Sequence, residues 1–248
     1  MKIVDWEQLP PQMQTEEVRK YYDILRRKRV SLVFKRAFDL AFSIVALLIL
    51  WPVYVILAIA IKLDSPGPVF FRQERVTQYG KTFYIHKFRT MVQNADKGSL
   101  VTVGADCRIT RVGRLIRKCR LDEISQLIDV FCGTMTLVGT RPEVPKYTAQ
   151  YTPRMLATLL LPAGVTNLAS IYYKDEAALL DGAEDVDKTY VEEVLPGKMH
   201  YNLKAIESFS FWGDMRIMLM TVLAVLGKEY RECNTENSQV YAEEEINV

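Results

Sequence analysis

Between Asp39 and Lys62 the chain carries 22 consecutive residues, Leu40 to Ile61 (LAFSIVALLILWPVYVILAIAI), without a charge. At about 1.5 Å of rise per residue, a helix of that length just crosses a hydrocarbon core of roughly 30 Å. Pro52, near its middle, has no N–H and crowds the carbonyl four residues back, so a kink or a break is expected there. Arg26 to Arg29, Lys35 and Arg36 precede the run, and Lys62, Arg72 and Arg75 follow it. Basic flanks favour the cytosolic side. A helix that enters, turns at Trp51-Pro52 and returns to the same face satisfies both flanks; a bent single span is the alternative. An uncharged run this long does not fit the core of a soluble domain.

Around it the pattern predicts shorter elements. Val18, Tyr21, Tyr22 and Leu25 fall on one face of a helix over Thr15 to Arg29, with acids early and bases late, suited either to a membrane surface or to packing on a soluble domain. Ser65-Pro66-Gly67-Pro68 ends the lipid-seeking helix. Val69–Arg75 and Thr82–Phe88 then read as an antiparallel hairpin turning at Tyr79-Gly80-Lys81. After a polar connection from Asn94 to Asp106 comes a cationic helix with Ile109, Val112, Leu115 and Ile116 on one face. Arg36 is spaced to pair with Asp39. Asp122 is placed to cap a second helix, whose apolar positions are Ile124, Leu127, Ile128 and Phe131 and whose end is Gly133. Met215 to Leu226 is apolar but too short to span. The expected organisation is an N-terminal amphipathic, interfacial helix (1–36), a re-entrant membrane helix kinked at Pro52 (37–63), a compact α/β, mostly helical catalytic domain with a small antiparallel hairpin (64–228) and a mobile acidic tail (229–248).

Charge sharpens this picture. The net charge of +2 hides an asymmetry: residues 1–124 carry 22 Lys and Arg against 12 Asp and Glu, a net of +10, and residues 125–248 carry 10 against 18, a net of −8. The basic half holds the membrane-seeking helix and suits anionic headgroups or phosphorylated ligands. Nucleic acid is not expected, since it needs no hydrophobic anchor. Cys107, Cys119, Cys132 and Cys233 lack Cys-x-x-Cys spacing and, with only His86 and His200, do not suggest zinc; they read as reduced thiols. No cleavable leader, internal repeat, Gly-rich dinucleotide loop or Walker sequence is recognised.

The candidate chemistry lies at Asp122-Glu123. Sequence physics allows a helix cap with a dipole-favoured acid beside it, or two carboxylates with separate roles, since neighbours on a helix diverge by about 100°. Arg141, in Val138-Gly139-Thr140-Arg141-Pro142, sits where a glycine turn and a proline aim a guanidinium, a phosphate-binding arrangement. Lys87 and Arg89, in His86-Lys87-Phe88-Arg89-Thr90-Met91, form either a solvated strand end or a further phosphate contact.

KRAFDL, the apolar run with its central proline, SPGPVFFRQERV, KFRTM, RLIRKCRLDEISQL and GTRP, in this order over residues 34–226, resemble the bacterial monotopic phosphoglycosyl transferases. The resemblance implies a re-entrant membrane helix on the cytoplasmic face of the bacterial inner membrane. It implies that Asp122 is a nucleophile toward the β-phosphorus of a UDP-sugar, forming a covalent phosphosugar and releasing UMP. Glu123 then assists polyprenyl (undecaprenyl) phosphate, which accepts the sugar phosphate in the first membrane step of glycan assembly. It further implies Mg²⁺, touched by Asp122, with Arg117 and Arg141, and more weakly Lys87 and Arg89, at the phosphates. Downstream glycosyltransferases and further copies of the chain are conceivable partners. The chain departs from the family pattern in four places: Trp51 before the hinge proline where the family has serine, Thr140 for a proline, Asn202 where an aspartate is common, and Leu161 to Ser170 (LPAGVTNLAS) for a segment that in the family adjoins the donor site. The departure at Leu161 to Ser170 motivates an alternative, a non-catalytic, membrane-bound protein that binds polyprenyl carriers in assembly.

Overall fold

The structure, a computed structural model, describes residues 1, 3–93, 108–173, 185–228 and 230. The polar connection expected at 94–106 and the acidic tail, Tyr230 apart, lie outside them. The first helix, α1 (Glu16–Arg27), starts where Thr15 Oγ1 accepts the Val18 N–H. Its apolar face, Val18, Tyr21, Tyr22 and Leu25, is buried against Leu159, Leu160, Leu203 and Ile206, so that face is spent inside the protein.

The apolar run forms the middle of α2 (Arg29–Asp64), a helix of 36 residues, about 54 Å long if straight. It continues through Pro52, and the break anticipated there is not seen. A proline removes one donor, and a helix that is otherwise hydrogen-bonded on both sides can run through it. Among the described residues this is the one helix long and apolar enough to cross a membrane, and only 11% of its most apolar window is buried. Burial is confined to its two halves' outer parts: Leu32, Lys35, Asp39 and Ser43 before the run's centre, Leu57 and Ile61 after it. Leu48, Ile49, Trp51 and Ile56 between them are exposed, Leu48 by 69%.

The expected Arg36–Asp39 pair does not form, because both side chains find better partners across the fold. Arg36 donates to the carbonyls of Val130 (2.7 Å) and Phe131 (3.1 Å). Asp39 accepts from Thr136 Oγ1 (2.5 Å) and the Leu137 N–H (3.3 Å). Lys35, also buried, donates to the Val138 carbonyl (2.7 Å) and pairs with Asp214 at 2.6 Å.

The antiparallel hairpin is present as β1 (Phe70–Val76) and β2 (Thr82–Phe88), with Phe70 opposite Phe88 and Val76 opposite Thr82. A second two-stranded sheet, absent from the sequence expectation, pairs β3 (Met135–Val138) in parallel with β4 (Ala163–Thr166). The remaining helices are α3 (Arg111–Lys118), α4 (Gln126–Cys132), α5 (Pro145–Thr148), α6 (Leu168–Tyr172), α7 (Val186–Thr189), α8 (Leu195–Glu207) and α9 (Phe211–Val225). The early part of α2 shares a core with α4, β3, β4 and α9, in which Phe38, Leu47 and Leu50 meet Val130, Leu137 and Ile217. Its late part shares another with β2 and α3, where Leu57 and Ile61 meet Phe88 and Ile116. On α3 only Ile116 of the predicted apolar face is deeply buried; Leu115 is exposed.

Candidate active site

Asp122 does not cap a helix. Arg120 takes a left-handed conformation (φ 54°) that ends α3, and Leu121–Glu123 form a single 3-10 turn before α4 begins at Gln126. A left-handed residue reverses the chain sharply, so the two acids leave the helical line and point toward β2. Gly133 closes α4 as expected, with its N–H on the Asp129 carbonyl.

Asp122 is buried, 5% exposed, and its Oδ2 lies 2.9 Å from Lys87 Nζ. Glu123 forms an ion pair with Arg141, and its Oε1 is 4.0 Å from the same Lys87. Burial pushes the Glu123 carboxyl up, but Arg141, Lys87 and Arg120 outweigh it and hold the pKa at about 2. At neutral pH Glu123 is therefore an anion, able to accept but not to give a proton.

Arg141 owes its place to the second sheet. The chain after β3 is pinned to β4: the Gly139 N–H bonds the Thr166 carbonyl (3.0 Å) and the Gly164 N–H bonds the Thr140 carbonyl (2.8 Å). The two backbones touch, so a Cβ on Gly164 would stand 2.2 Å from Gly139 N. Residues 161–170, where the chain departs from the family pattern, thus act on Arg141 from behind, through β4. On the other side Arg75 Nη1 donates to the Pro142 carbonyl at 3.0 Å.

Beside the carboxylates opens a cavity of about 490 Å³, lined by Arg72, Arg75, Lys87, Arg108, Arg117 and Arg141 among others, with Gln73 and Gln126. Its walls attract anions. Lys87, Arg117 and Arg141 are brought together with Asp122 and Glu123, and Arg117 is steadied by Thr90, whose Oγ1 accepts from its Nε (2.9 Å). Arg89 has a different post. Although it lines the same cavity, its guanidinium donates to the carbonyls of Pro66 (2.8 Å) and Ser65 (2.7 Å) and to Ser65 Oγ (3.0 Å), at the C-terminal end of α2. Orphan carbonyls at a helix end draw a cation more strongly than an open pocket does. Gly67 (φ 121°) makes room for it, since a Cβ there would lie 2.1 Å from Arg89 Nη1. Trp51 and Pro52 belong to the exposed middle of α2. Sequence reasoning missed Arg72, Arg75, Arg108 and Gln126 as site residues; only Gln126, four residues after Asp122, carried a spacing that could have marked it.

Among the described residues no group of three or more His, Cys, Asp or Glu side chains could by itself hold a metal. The donor set is Asp122 with Glu123 beside it, which suits an ion taking most of its ligands from phosphate oxygens and water, the usual manner for Mg²⁺.

A helix with an exposed apolar belt is joined here to two carboxylates paired with Lys87 and Arg141 of a cationic cavity, a combination consistent with membrane association and with anionic ligands. The family follows from comparison: the bacterial sugar transferase model matches residues 30–228, and the chain belongs to that family. It is 32% identical over 209 residues to a UDP-glucose:undecaprenyl-phosphate glucose-1-phosphate transferase of Xanthomonas campestris pv. campestris, covering 82% of this chain and 41% of that protein. It is 33% identical over 196 residues to a UDP-N-acetylgalactosamine-undecaprenyl-phosphate N-acetylgalactosaminephosphotransferase of Aeromonas hydrophila, covering 77% and 43%. The matches thus span about two fifths of the length of these two relatives. An uncharacterized sugar transferase, EpsL, of Bacillus subtilis (strain 168) is matched over 90% of its length and 80% of this chain, at 34% identity.

Proposed function

We propose that the protein transfers a sugar-1-phosphate from a UDP-sugar to a polyprenyl phosphate such as undecaprenyl phosphate. The observation that carries this reading is the buried Asp122 carboxylate held by Lys87 at the edge of the arginine-lined cavity. The Asp122 carboxylate attacks the β-phosphorus, the bond from that phosphorus to the oxygen bridging the α-phosphate breaks, and UMP leaves. The polyprenyl phosphate oxygen then attacks the same phosphorus, displaces the carboxylate and forms a polyprenyl diphosphate sugar. Atoms and charge balance over the two steps, with no redox partner needed.

The residues divide the work. Attack of an anion on a diphosphate meets like-charge repulsion, which Arg117, Arg141 and Lys87 offset. Lys87 also fixes the rotamer of Asp122, which favours a productive approach. Asp122 would hold Mg²⁺ together with the diphosphate oxygens; when bound, the ion supplies further charge neutralisation. Glu123, already ionised, is an acceptor near the incoming phosphate. A membrane acceptor also accounts for α2, whose two ends dock on one body while its apolar middle is exposed. Docking of both ends on one body supports a helix that lies in one leaflet rather than crossing the bilayer, with Trp51 and Pro52 in its exposed middle.

The test is UMP release by the detergent-purified chain with Mg²⁺ and undecaprenyl phosphate over a panel of UDP-sugars. Asp122→Ala should lower release by at least about a thousandfold, as expected when a nucleophile is removed. Release that survives this substitution rules out the covalent step. Silence of the folded wild-type chain with every donor favours the carrier-binding alternative.

A further inference from the structure

The cavity holds one group that phosphoryl transfer leaves unused. Among the described residues, four buried side-chain atoms have no hydrogen-bond partner: Arg75 Nε, Arg89 Nε, Gln126 Oε1 and Ser170 Oγ. The first three belong to residues lining this same cavity. Buried polar atoms are nearly always satisfied in a folded protein, so three unpaired ones around a single space mark a place built for a ligand. Their chemistry is not uniform. The two guanidinium nitrogens are donors and suit phosphate oxygens, whereas Gln126 Oε1 is an acceptor, to which an ionised phosphate offers nothing.

Gln126 is 2% exposed and opens α4, four residues after Asp122. Gln73, another amide lining the cavity, is engaged: its Oε1 accepts from Arg75 Nη2 at 2.6 Å. Amides buried elsewhere are paired too, Asn167 Nδ2 donating to Asn202 Oδ1 at 2.9 Å. What Gln126 lacks is an O–H or N–H donor. A metal ion is a poor candidate for that oxygen, because the walls around it already carry Arg72, Arg75, Arg108, Arg117 and Arg141, and like charges repel. The group of a UDP-sugar that is rich in donors and attached to the phosphorus attacked by Asp122 is the sugar.

We propose that Gln126 reads the sugar of the donor, its side-chain carbonyl accepting a hydrogen bond from one sugar hydroxyl or amide N–H, and so contributes to the choice of substrate. This rests on the phosphosugar-transfer reading above. A site built to bond a donor group discriminates against the analogue that lacks it, because the buried acceptor is then left unpaired.

The experiment measures kcat/KM of UMP release by the purified full chain, using the best UDP-sugar and its single-deoxy analogues, for wild type, Gln126→Met and Gln126→Glu. Methionine keeps the length and removes the acceptor; glutamate keeps the acceptor oxygen. One deoxy analogue should cost the wild type about tenfold, Gln126→Met should lose about tenfold on the parent sugar, and the two losses should not multiply when combined. Gln126→Glu should retain the discrimination, and binding of UDP alone should be the same in all three. Should Gln126→Met not fold, Gln126→Asn, which withdraws the oxygen by one methylene, carries the same comparison. The proposal fails if the losses multiply at every position, or if UDP without sugar binds more weakly to the variant by the same factor. A folded wild type that releases no UMP from any donor overturns the transfer reading and this inference together; unaltered sugar preference in an active Gln126→Met overturns this inference alone.

Discussion

The two ends of α2 are held to the same body by opposite means. Near its start the helix buries charge: Lys35 against Asp214 and the Val138 carbonyl, Asp39 against Thr136 and the Leu137 N–H. Near its end it buries hydrocarbon, Leu57 and Ile61 on Phe88 and Ile116, and leaves the polar work to a guanidinium from another element, Arg89. The first end grips β3, whose next residues lead to Arg141. The second grips the strand end that carries Lys87. Each attachment of the apolar helix is therefore also the support of one of the two cations that meet at Glu123.

Breaking the first end should cost most. Lys35→Met leaves Asp214, whose carboxyl burial already pushes up while Lys35 pulls it down, as an uncompensated buried acid. A loss of about 3–5 kcal/mol in unfolding free energy is expected, and Lys35→Met combined with Asp214→Leu should recover most of it. Denaturant titration in detergent checks both; equal destabilisation by the single and double variants would show that the pair's charge is not what holds this end. At the second end Arg89→Met strips the carbonyls of Ser65 and Pro66 of a charged donor and should cost about 2–3 kcal/mol. Gly67→Ala, which drives a Cβ into the same guanidinium at a positive φ, should cost about 1–3 kcal/mol and add little to Arg89→Met. Losses that add in full would separate the glycine from the arginine.

The smallest effect is expected where the two supports meet. The Glu123 carboxyl is depressed from 4.5 to about 2, so its ion pairs stabilise the fold fully above pH 4.5 and are lost as the pH falls toward 2. Glu123→Gln should remove this pH-dependent stability, at most about 3 kcal/mol and less as solvent screens the partly exposed Lys87 and Arg141, and flatten the acid limb of a stability profile between those values. An unchanged limb would assign it to other carboxylates.

What could be read in advance follows from locality. α1, the β1–β2 hairpin and the Gly133 stop are written in neighbouring residues, and the structure places each within a residue or two of its expected bounds. The β3–β4 pair was not legible, because its two strands of four residues lie some 25 positions apart and the second runs through a Pro-Ala-Gly stretch that resembles a loop. Arg36 with Asp39 and Asp122 as a cap were misjudged for the same reason: spacing along a helix suggested a local partner, and distant groups, Val130, Thr136 and Lys87, proved the stronger ones. Arg89 was read as a solvated strand end or a further phosphate contact; its guanidinium instead closes a helix end 24 residues upstream, beyond any local pattern. At the site, the acid pair and Arg141 were visible as a constellation, whereas Arg72 and Arg75 come from β1 and Arg108 from the chain just before α3, and could be grouped only once these elements were folded together.

The Arg141–Glu123 pair has a consequence in time as well as in space. A guanidinium that is drawn to an arriving phosphate loosens its hold on the carboxylate, and the burial that Arg141 had been offsetting then acts on Glu123 with less opposition. On the transfer reading proposed above, the carboxylate would become more basic as the anion settles, and arrival of the substrate's charge would ready the neighbouring acceptor.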